Sequence, residues 1–277
     1  MRTRALLAFD ASSVSAAVLG RSLGGTRLRG FARAALPPGA LVPSALEPNI
    51  LGMAEVRDAV ARVAREAGIG RAPVTVIAPQ GVARLLLLDL PAGVDAMDFA
   101  RYRLAELPYP AAEAVVDALP VPGGRAVAAA IRRRVVEDYE AVMAGAGLAQ
   151  ERFDLTSLAA LSALLKDPAP GGLVVDLVLG DVAFSLAAHR DGVLAALRHR
   201  RRDRRDGEAQ RLRLEAERTA ELAGAPIGRL RVVGAGSRAL VREWAGAGLP
   251  AGLGWQADGD GVPADAAELP WLGAVLA

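Results

Sequence analysis

The chain has 277 residues, enough for one large domain or two medium domains with a substantial core. Apolar residues make up 52%, which excludes a disordered chain, and the absence of cysteine excludes disulfides and cysteine-ligated metals. The formal net charge is only +2, Lys166 is the only lysine, and no P-loop pattern is present.

The chain also lacks the patterns of export and membrane insertion. The apolar run near the start spans about six residues, too short for the core of a signal peptide. No stretch approaches the roughly 20 apolar residues that a membrane-spanning helix needs. The most apolar window, 173–188, contains Asp176 and Asp181. We therefore predict a soluble cytoplasmic protein.

The first part of the chain reads as a three-stranded meander followed by a helix and a strand. Val56, Val60 and Val63 share one face of the helix, and Gly68 is a stop signal. In chain order we predict strand 5–9, a polar turn at 10–13, strand 14–20, a turn at 24–25, strand 26–36, a Pro- and Gly-rich loop over 37–52, helix 54–68 and strand 73–79.

A small α/β insertion at about 84–131 follows. It is predicted to hold strand 84–91, helix 95–107, and strands 114–121 and 126–132 joined by Gly123-Gly124. The first part then ends with three further elements: helix 134–147, strand 152–155, and a helix for which Thr156 is a plausible N-cap. The segment 167–172, DPAPGG, is the clearest interdomain linker.

The same order of elements recurs about 170 residues later. The residues Gly180-Asp181 mark a two-residue hairpin turn. The predicted elements are strand 173–178, strand 182–188, a turn at 190–192, strand 193–200, helix 207–224, strand 229–236 and helix 237–247. This repeat indicates an internal duplication. We predict an α/β fold with duplicated βββαβα halves, the first at 1–170 carrying the insertion and the second at 171–277.

Three stretches carry a resemblance to a known family: PVTVIAPQGVARLLLLDLP, RYRLAELPYPAAEAVVDALPV and AVAAAIRRRVVEDYEAVMAGAGL. They resemble the PilM-like proteins of type IV pilus assembly, which belong to the actin-like ATPase superfamily and are related to FtsA and the cytoplasmic domain of GspL. The resemblance implies a cytoplasmic scaffold that reaches the inner membrane through its partners. It also implies that the scaffold joins a pilus-type or secretion-type assembly ATPase to a short cytoplasmic segment of a PilN-like membrane protein.

The resemblance also implies where a nucleotide would bind. In this superfamily a phosphate lies between two hairpins, each of which presents an Asp, a Gly and hydroxyl groups. The candidate cofactor-binding residues follow from that pattern: Asp10, Ser12 and Ser13 in the first hairpin, Asp176, Gly180 and Asp181 in the second, and Gly234, Gly236 and Ser237 near the adenosine.

The fit to that pattern is incomplete. Ser12 stands where the family has glycine, and its Cβ would obstruct the approach of backbone to a phosphate. No alignment of the second hairpin supplies both the acid and the glycine. If Asp176 takes the acidic position, Val178 falls at the glycine position. If Gly180 takes the glycine position, Val178 falls at the acidic position. The alternatives are turn residues with a structural role, ATP–Mg binding without turnover, and an ATPase or small-molecule kinase. We expect a degenerate site, no catalytic residues and no cofactor.

Two other features are candidates for function. The two histidines, His189 and His199, lack a convincing nucleophile and are too few for a metal site. The arginine-rich run 198–208 is read as a solvated strand-to-helix corner, with an acidic protein surface and nucleic acid or anionic lipid as alternatives. Because no aromatic residues interleave the run, we expect no nucleic acid partner.

The partner site is placed on the insertion, because PilM-like proteins are expected to hold a short extended peptide in a groove beside it. The apolar strand contributes Leu86 and Leu88, and Tyr102 and Tyr109 are aromatic anchors of the kind that concentrate binding energy. The edge of the insertion could also add a strand by backbone pairing. The alternative is that the leucines are buried core.

Overall fold

The computed structural model describes residues 3–22, 25–104, 107–166, 172–248, 251–253, 269 and 271–272. The elements of its first half, apart from the insertion, are β1 (Thr3–Asp10), β2 (Ser13–Ser22), β3 (Gly25–Ala35), α1 (Met53–Ala67), β4 (Val74–Ala78), α3 (Arg133–Gly145), β8 (Gln150–Leu155) and α4 (Thr156–Leu164). The strands of this half form a five-stranded sheet of order β3-β2-β1-β4-β8, in which β1 pairs antiparallel with β2 and parallel with β4.

Alternation along β1 directs its side chains to two different cores. Leu7 and Phe9 pack with α1 and α3, whereas Leu6 and Ala8 face the opposite side of the sheet, where Trp271 and its neighbours cover them. Helix α1 buries Val56, Val60 and Val63 as the spacing predicts, and ends at Gly68 in the left-handed conformation. Thr156 is not the N-cap that we predicted. It is the first residue of α4, and its hydroxyl donates to the Ala78 carbonyl at 3.0 Å.

The insertion is a three-stranded antiparallel sheet covered by one helix. It comprises β5 (Ala83–Asp89), α2 (Ala96–Arg103), β6 (Ala114–Val121) and β7 (Arg125–Arg132), with β7 between β5 and β6. Asp95 caps α2 by accepting hydrogen bonds from the amides of Met97 and Asp98, and the helix is shorter than the predicted span of 95–107. Strand β6 lies at the edge of this sheet, so among the described residues only one of its sides is paired with another strand.

The second half repeats the sheet of the first. Its order is β11-β10-β9-β12-β13, again with an antiparallel meander and a parallel fourth strand. This order is consistent with the predicted duplication, although most of the predicted linker 167–172 lies outside the described residues. The elements are β9 (Leu173–Leu179), β10 (Ala183–Arg190), β11 (Val193–Arg201), α5 (Glu208–Leu222), β12 (Ile227–Gly234), α6 (Ser237–Gly246) and β13 (Ala251–Leu253).

The two halves meet along a shared apolar core. Helix α4 of the first half packs its buried face, including Ala160, Leu161 and Leu164, on strands of the second half. Leu87 and Val127 of the insertion join the same cluster, and the Arg125 guanidinium donates to the Leu194 carbonyl at 2.8 Å. None of the helices in the described ranges is long and apolar enough to cross a membrane.

Candidate functional site

The two hairpin turns that would hold a phosphate in an actin-like protein touch each other here. The Ser12 hydroxyl donates to Asp181 Oδ2 at 2.9 Å across the cleft between the halves. Asp10 lines the cavity between the hairpins from the first half. Arg204 completes the cluster with an ion pair of 2.6 Å to Asp181 Oδ1. The two turns are therefore joined by a direct hydrogen bond between their side chains.

The surroundings shift the pKa values of Asp10 and Asp181 in opposite directions. Burial raises the pKa of Asp10 to about 7, and the neighbouring charge of Asp181 acts in the same direction. Burial also acts to raise the pKa of Asp181, but hydrogen bonding with neighbours that include Ser12 and the charge of Arg204 outweigh it. The net result is a lowered pKa for Asp181.

Arg202 fills the other side of the cleft. Its side chain is only 6% exposed, and its Nη1 donates to the carbonyls of Gly180 at 2.7 Å and Ala235 at 2.9 Å. Its Nε pairs with Glu208 at 2.6 Å. One guanidinium therefore joins the second hairpin to the strand-to-helix turn that would face an adenosine. The predicted solvated corner is wrong for this residue, because these partners hold it inside.

The space left between the hairpins is small. The cavity there measures about 20 Å³, which has room for about one water molecule. Small-molecule sites in proteins have volumes of about 300–1,000 Å³. Leu269 and Trp271 line the cavity from the C-terminal segment, together with Gln80 and Thr156 of the first half.

The remaining predicted hairpin and turn residues are buried or adopt a backbone conformation that favours glycine. Ser13 is buried and accepts a hydrogen bond from Arg33. At Gly180 a Cβ would lie 3.1 Å from the Ala183 carbonyl oxygen. Gly234 and Gly236 have positive φ angles of 104° and 83°, and a Cβ on Gly234 would overlap the Leu179 backbone. Ser237 is buried at the start of α6, and its hydroxyl has no hydrogen-bond partner.

Asp176 lies in the core of the second half, away from the hairpin turns. Its carboxylate accepts hydrogen bonds from Arg231 at 2.6 and 2.9 Å, and His189 Nε2 lies 3.0 Å from Oδ2. All three side chains are buried, and Arg231 also donates to the Leu164 carbonyl of α4 at 2.8 Å. This placement corrects the alignment that put Asp176 at the phosphate, because neither of its oxygens faces the cleft.

The second histidine does have a hydroxyl partner, which the sequence analysis missed. Ser185 and His199 are directly opposite on β10 and β11, and Ser185 Oγ lies 2.9 Å from His199 Nδ1. Ser185 is completely buried, so its hydroxyl cannot reach a substrate. Burial lowers the pKa of His199 to about 4 and keeps the ring neutral. Among the described residues, no group of three His, Asp or Glu side chains could hold a metal ion.

The predicted partner residues divide into buried and accessible ones. Leu88 is buried and Leu86 is partly buried beneath α2, and Tyr109 is buried with Arg132 over its ring at 6.0 Å. The two leucines belong to the core of the insertion, and all three side chains offer little surface to a peptide, which corrects their assignment as direct anchors. Tyr102 is 74% exposed on α2.

A groove on the insertion lies beside these residues. It has a volume of about 210 Å³ and lies between the end of α2, the segment 107–111 and β6, with lining residues Arg101, Leu104, Leu107, Ala111, Ala114 and Val116. At its first-half end the Arg132 guanidinium joins two segments: it donates to the Leu46 carbonyl at 2.6 Å and pairs with Glu113 at 2.7 Å.

The loop that contains Leu46 carries exposed apolar side chains. Four large side chains of residues 42–53 are exposed, which we call the 42–53 rim: Val42, Leu46, Leu51 and Met53. Asn49 holds the loop in place. Its side-chain oxygen accepts a hydrogen bond from the Ser44 backbone amide, and its backbone amide donates to the Asp138 carboxylate at 2.9 Å. The sequence analysis missed this rim, although four apolar residues in a Pro- and Gly-rich loop were a visible signal.

Comparisons with known proteins place the chain among actin-like structures. No family model matches the sequence, and no curated protein sequence matches it. A chain of the PilM–PilN type IV pilus biogenesis complex matches the structure with a TM-score of 0.71 and 18% identity, covering 99% of this chain and 97% of that one. An actin-like ATPase fold protein of unknown function from Bacteroides thetaiotaomicron matches with a TM-score of 0.57 and 10% identity, covering 90% and 89%.

The secretion machinery supplies a third similar structure. The cytoplasmic domain of EpsL, an inner-membrane component of the type II secretion system of Vibrio cholerae, matches with a TM-score of 0.53 and 10% identity, covering 84% of this chain and 82% of that one. At these identities the likeness establishes the fold. The chain thus has the actin-like ATPase fold that the sequence resemblance implied.

Proposed function

We propose that this chain is a non-catalytic actin-like scaffold of a type IV pilus or type II secretion-type assembly platform. In this proposal it works in the cytoplasm and binds a short cytoplasmic segment of a PilN-like inner-membrane protein. The observation that carries the proposal is the match to a chain of the PilM–PilN complex over 99% of this sequence. The fold alone does not decide function, so the geometry of two sites must support the proposal.

The first support is the state of the nucleotide cleft. Hydrolysis of ATP needs an open site in which backbone amides and a metal ion reach the phosphates. Here the hairpins bind each other through Ser12 and Asp181, and Arg202 joins the second hairpin to the strand-to-helix turn at Ala235 within the second half. The cavity of about 20 Å³ holds water at most. A scaffold has no need of turnover, so a cleft with so little space is compatible with the proposed role.

The second support is the groove on the insertion and the adjoining 42–53 rim. Leu51 is 65% exposed, and three other large apolar side chains of the rim are exposed within the same loop. Exposed apolar clusters of this kind mark protein-binding surfaces in soluble proteins. An extended peptide could place apolar side chains in the groove and on the rim and also pair with the open edge of β6.

The test is calorimetric titration of the chain with a synthetic peptide that has the sequence of the cytoplasmic segment of the PilN-like membrane protein encoded next to it. We expect Leu51→Glu and Tyr102→Ala to weaken binding at least tenfold without changing the melting temperature. The matched control is Leu222→Glu, because Leu222 is 69% exposed on α5 in the second half. Tyr109→Ala is unsuitable because the ring is buried.

Two outcomes would reject the proposal. Equal binding by Leu51→Glu, Tyr102→Ala and wild type, with loss only in Leu222→Glu, would move the partner to the second half. Steady ATP hydrolysis by the wild type that Asp10→Ala abolishes would favour the alternative, an ATP-hydrolysing enzyme of the same superfamily. Copurification with an assembly ATPase would extend the proposal to the motor side of the platform.

A further inference from the structure

The arginine-rich run 198–208 is a feature of the sequence that the proposed function leaves unused. In the structure its arginines divide into an inner and an outer set. Arg198 pairs with Glu215 at 2.7 Å and Arg202 with Glu208 at 2.6 Å, and both arginine side chains are largely buried. The outer set consists of four exposed arginines, which we call the arginine surface: Arg200, Arg201, Arg204 and Arg205.

The loop that follows β11 and carries part of this surface is held in place by hydrogen bonds. Arg211 on α5 donates to three carbonyls of the loop, those of Asp206 at 2.7 Å, Arg205 at 2.9 Å and Asp203 at 3.1 Å. At the start of the loop the Arg202 amide donates to the Val182 carbonyl at 2.8 Å. The backbone is therefore preorganised, and a partner that binds the exposed side chains has little loop entropy to remove.

The charges of the arginine surface are only partly balanced within the chain. Arg204 pairs with Asp181 at 2.6 Å, and Arg205 lies 3.6 Å from Asp203. Within the part of the chain that the structure describes, Arg200 and Arg201 form no ion pair, and Arg200 makes one long hydrogen bond of 3.5 Å to the His199 carbonyl. Adjacent unpaired cations repel each other, and an anionic partner would relieve that repulsion.

The composition of the surface favours a protein partner over a polymer or membrane of phosphates. Two exposed carboxylates, Asp203 and Asp206, lie among the arginines. They would repel a uniformly negative phosphate surface, whereas a protein segment can place carboxylates against the arginines and a donor against the aspartates. The run also has no aromatic side chain on which a base could stack. The planar guanidinium fork matches the geometry of a carboxylate.

We propose that the arginine surface is the docking site for an acidic segment of a second protein partner, in which at least two neighbouring carboxylates pair with Arg200 and Arg201. This inference does not rest on the proposed function, because the groove and the 42–53 rim belong to the first half and the arginine surface belongs to the second. The two surfaces would let one chain hold two partners at the same time.

The test is fluorescence anisotropy with a labelled peptide that carries a block of glutamates, compared with the same peptide in which glutamine replaces each glutamate. We expect the wild type to bind the glutamate peptide and not the glutamine peptide. Added salt should weaken the binding, because exposed charges are screened. The double variant Arg200→Ser, Arg201→Ser should bind at least tenfold more weakly with an unchanged melting temperature.

A matched control separates the surface from the overall charge. The double variant Arg62→Ser, Arg65→Ser removes two exposed arginines from α1 in the first half and changes the net charge by the same amount. We expect it to bind the glutamate peptide within twofold of the wild type. Arg211→Lys keeps the charge but loses the fork that reaches three loop carbonyls, so it should weaken binding several-fold.

Four results would overturn the proposal. A wild type that does not bind the glutamate peptide is the first, and equal binding by the two double variants is the second. Unchanged binding by Arg211→Lys would show that the loop geometry has no part in it. Tighter binding of a short DNA duplex or of vesicles with phosphatidylglycerol, lost in Arg200→Ser, Arg201→Ser, would assign the surface to phosphates. The peptide of the PilN-like protein should bind this double variant as it binds the wild type, so the two proposals stand or fall separately.

Discussion

Replacement of Arg231 by methionine tests the buried charge cluster in the core of the second half. Arg231 and Asp176 are both completely buried, and two hydrogen bonds of 2.6 and 2.9 Å join them. Methionine fills much of the space of the arginine stem but removes the guanidinium. Asp176 then keeps only His189, and the Leu164 carbonyl loses its donor.

The expected loss is large because a buried charge is left without its partner. Breaking a buried ion pair from one side costs about 3–5 kcal/mol. In a protein of this size each kcal/mol lowers the melting temperature by about 2 °C, so Arg231→Met should lower it by about 6–10 °C. Scanning calorimetry and urea unfolding followed by circular dichroism should both report the loss.

Two further variants make the reasoning refutable. Arg213→Met breaks a partly exposed pair with Glu217 on α5 and should cost less than about 1 kcal/mol. The triple variant Asp176→Leu, His189→Leu, Arg231→Met removes every charge of the cluster and should recover most of the lost stability. If Arg231→Met melts within 1 °C of Arg213→Met, the cluster does not hold a buried charge as argued. A triple variant less stable than Arg231→Met alone would contradict the same reasoning.

Three other predictions concern the cleft, the arginine run and His199. ATP–Mg should give no calorimetric binding signal below millimolar concentration, because the cavity between the hairpins measures only about 20 Å³, and a submicromolar dissociation constant would contradict this. Arg200→Glu should leave the melting temperature within about 2 °C of the wild type, because an exposed charge contributes about 0–1 kcal/mol, whereas Arg202→Glu should lower it several times more. Because His199 is held neutral by a pKa of about 4, below its ordinary 6.5, its contribution to stability is complete above pH 6.5 and is lost as the pH falls towards 4. Urea midpoints at pH 7.5 and 5 should therefore differ less in His199→Gln than in the wild type.

The elements of the fold could be predicted because local patterns and tertiary structure agree in this chain. The turn at 10–13, the glycine stop at Gly68 and the second hairpin at Gly180-Asp181 all occur where their residues predicted them. The order of elements then repeats, and the two sheets have corresponding strand orders. Helix α2 ends earlier than predicted, because the pattern alone does not fix where a helix stops.

The chemistry of the cleft could not be predicted, because it depends on contacts between distant residues. Arg202 reads as one charge in a run of arginines, and only the fold brings it to the carbonyls of Gly180 and Ala235. In the sequence, Asp176 lies in a predicted strand at a position where the related family has an acidic residue near the phosphate. In the structure, it lies directly opposite Arg231 on the adjacent strand β12. A parallel pairing over 55 residues of sequence has no local signature.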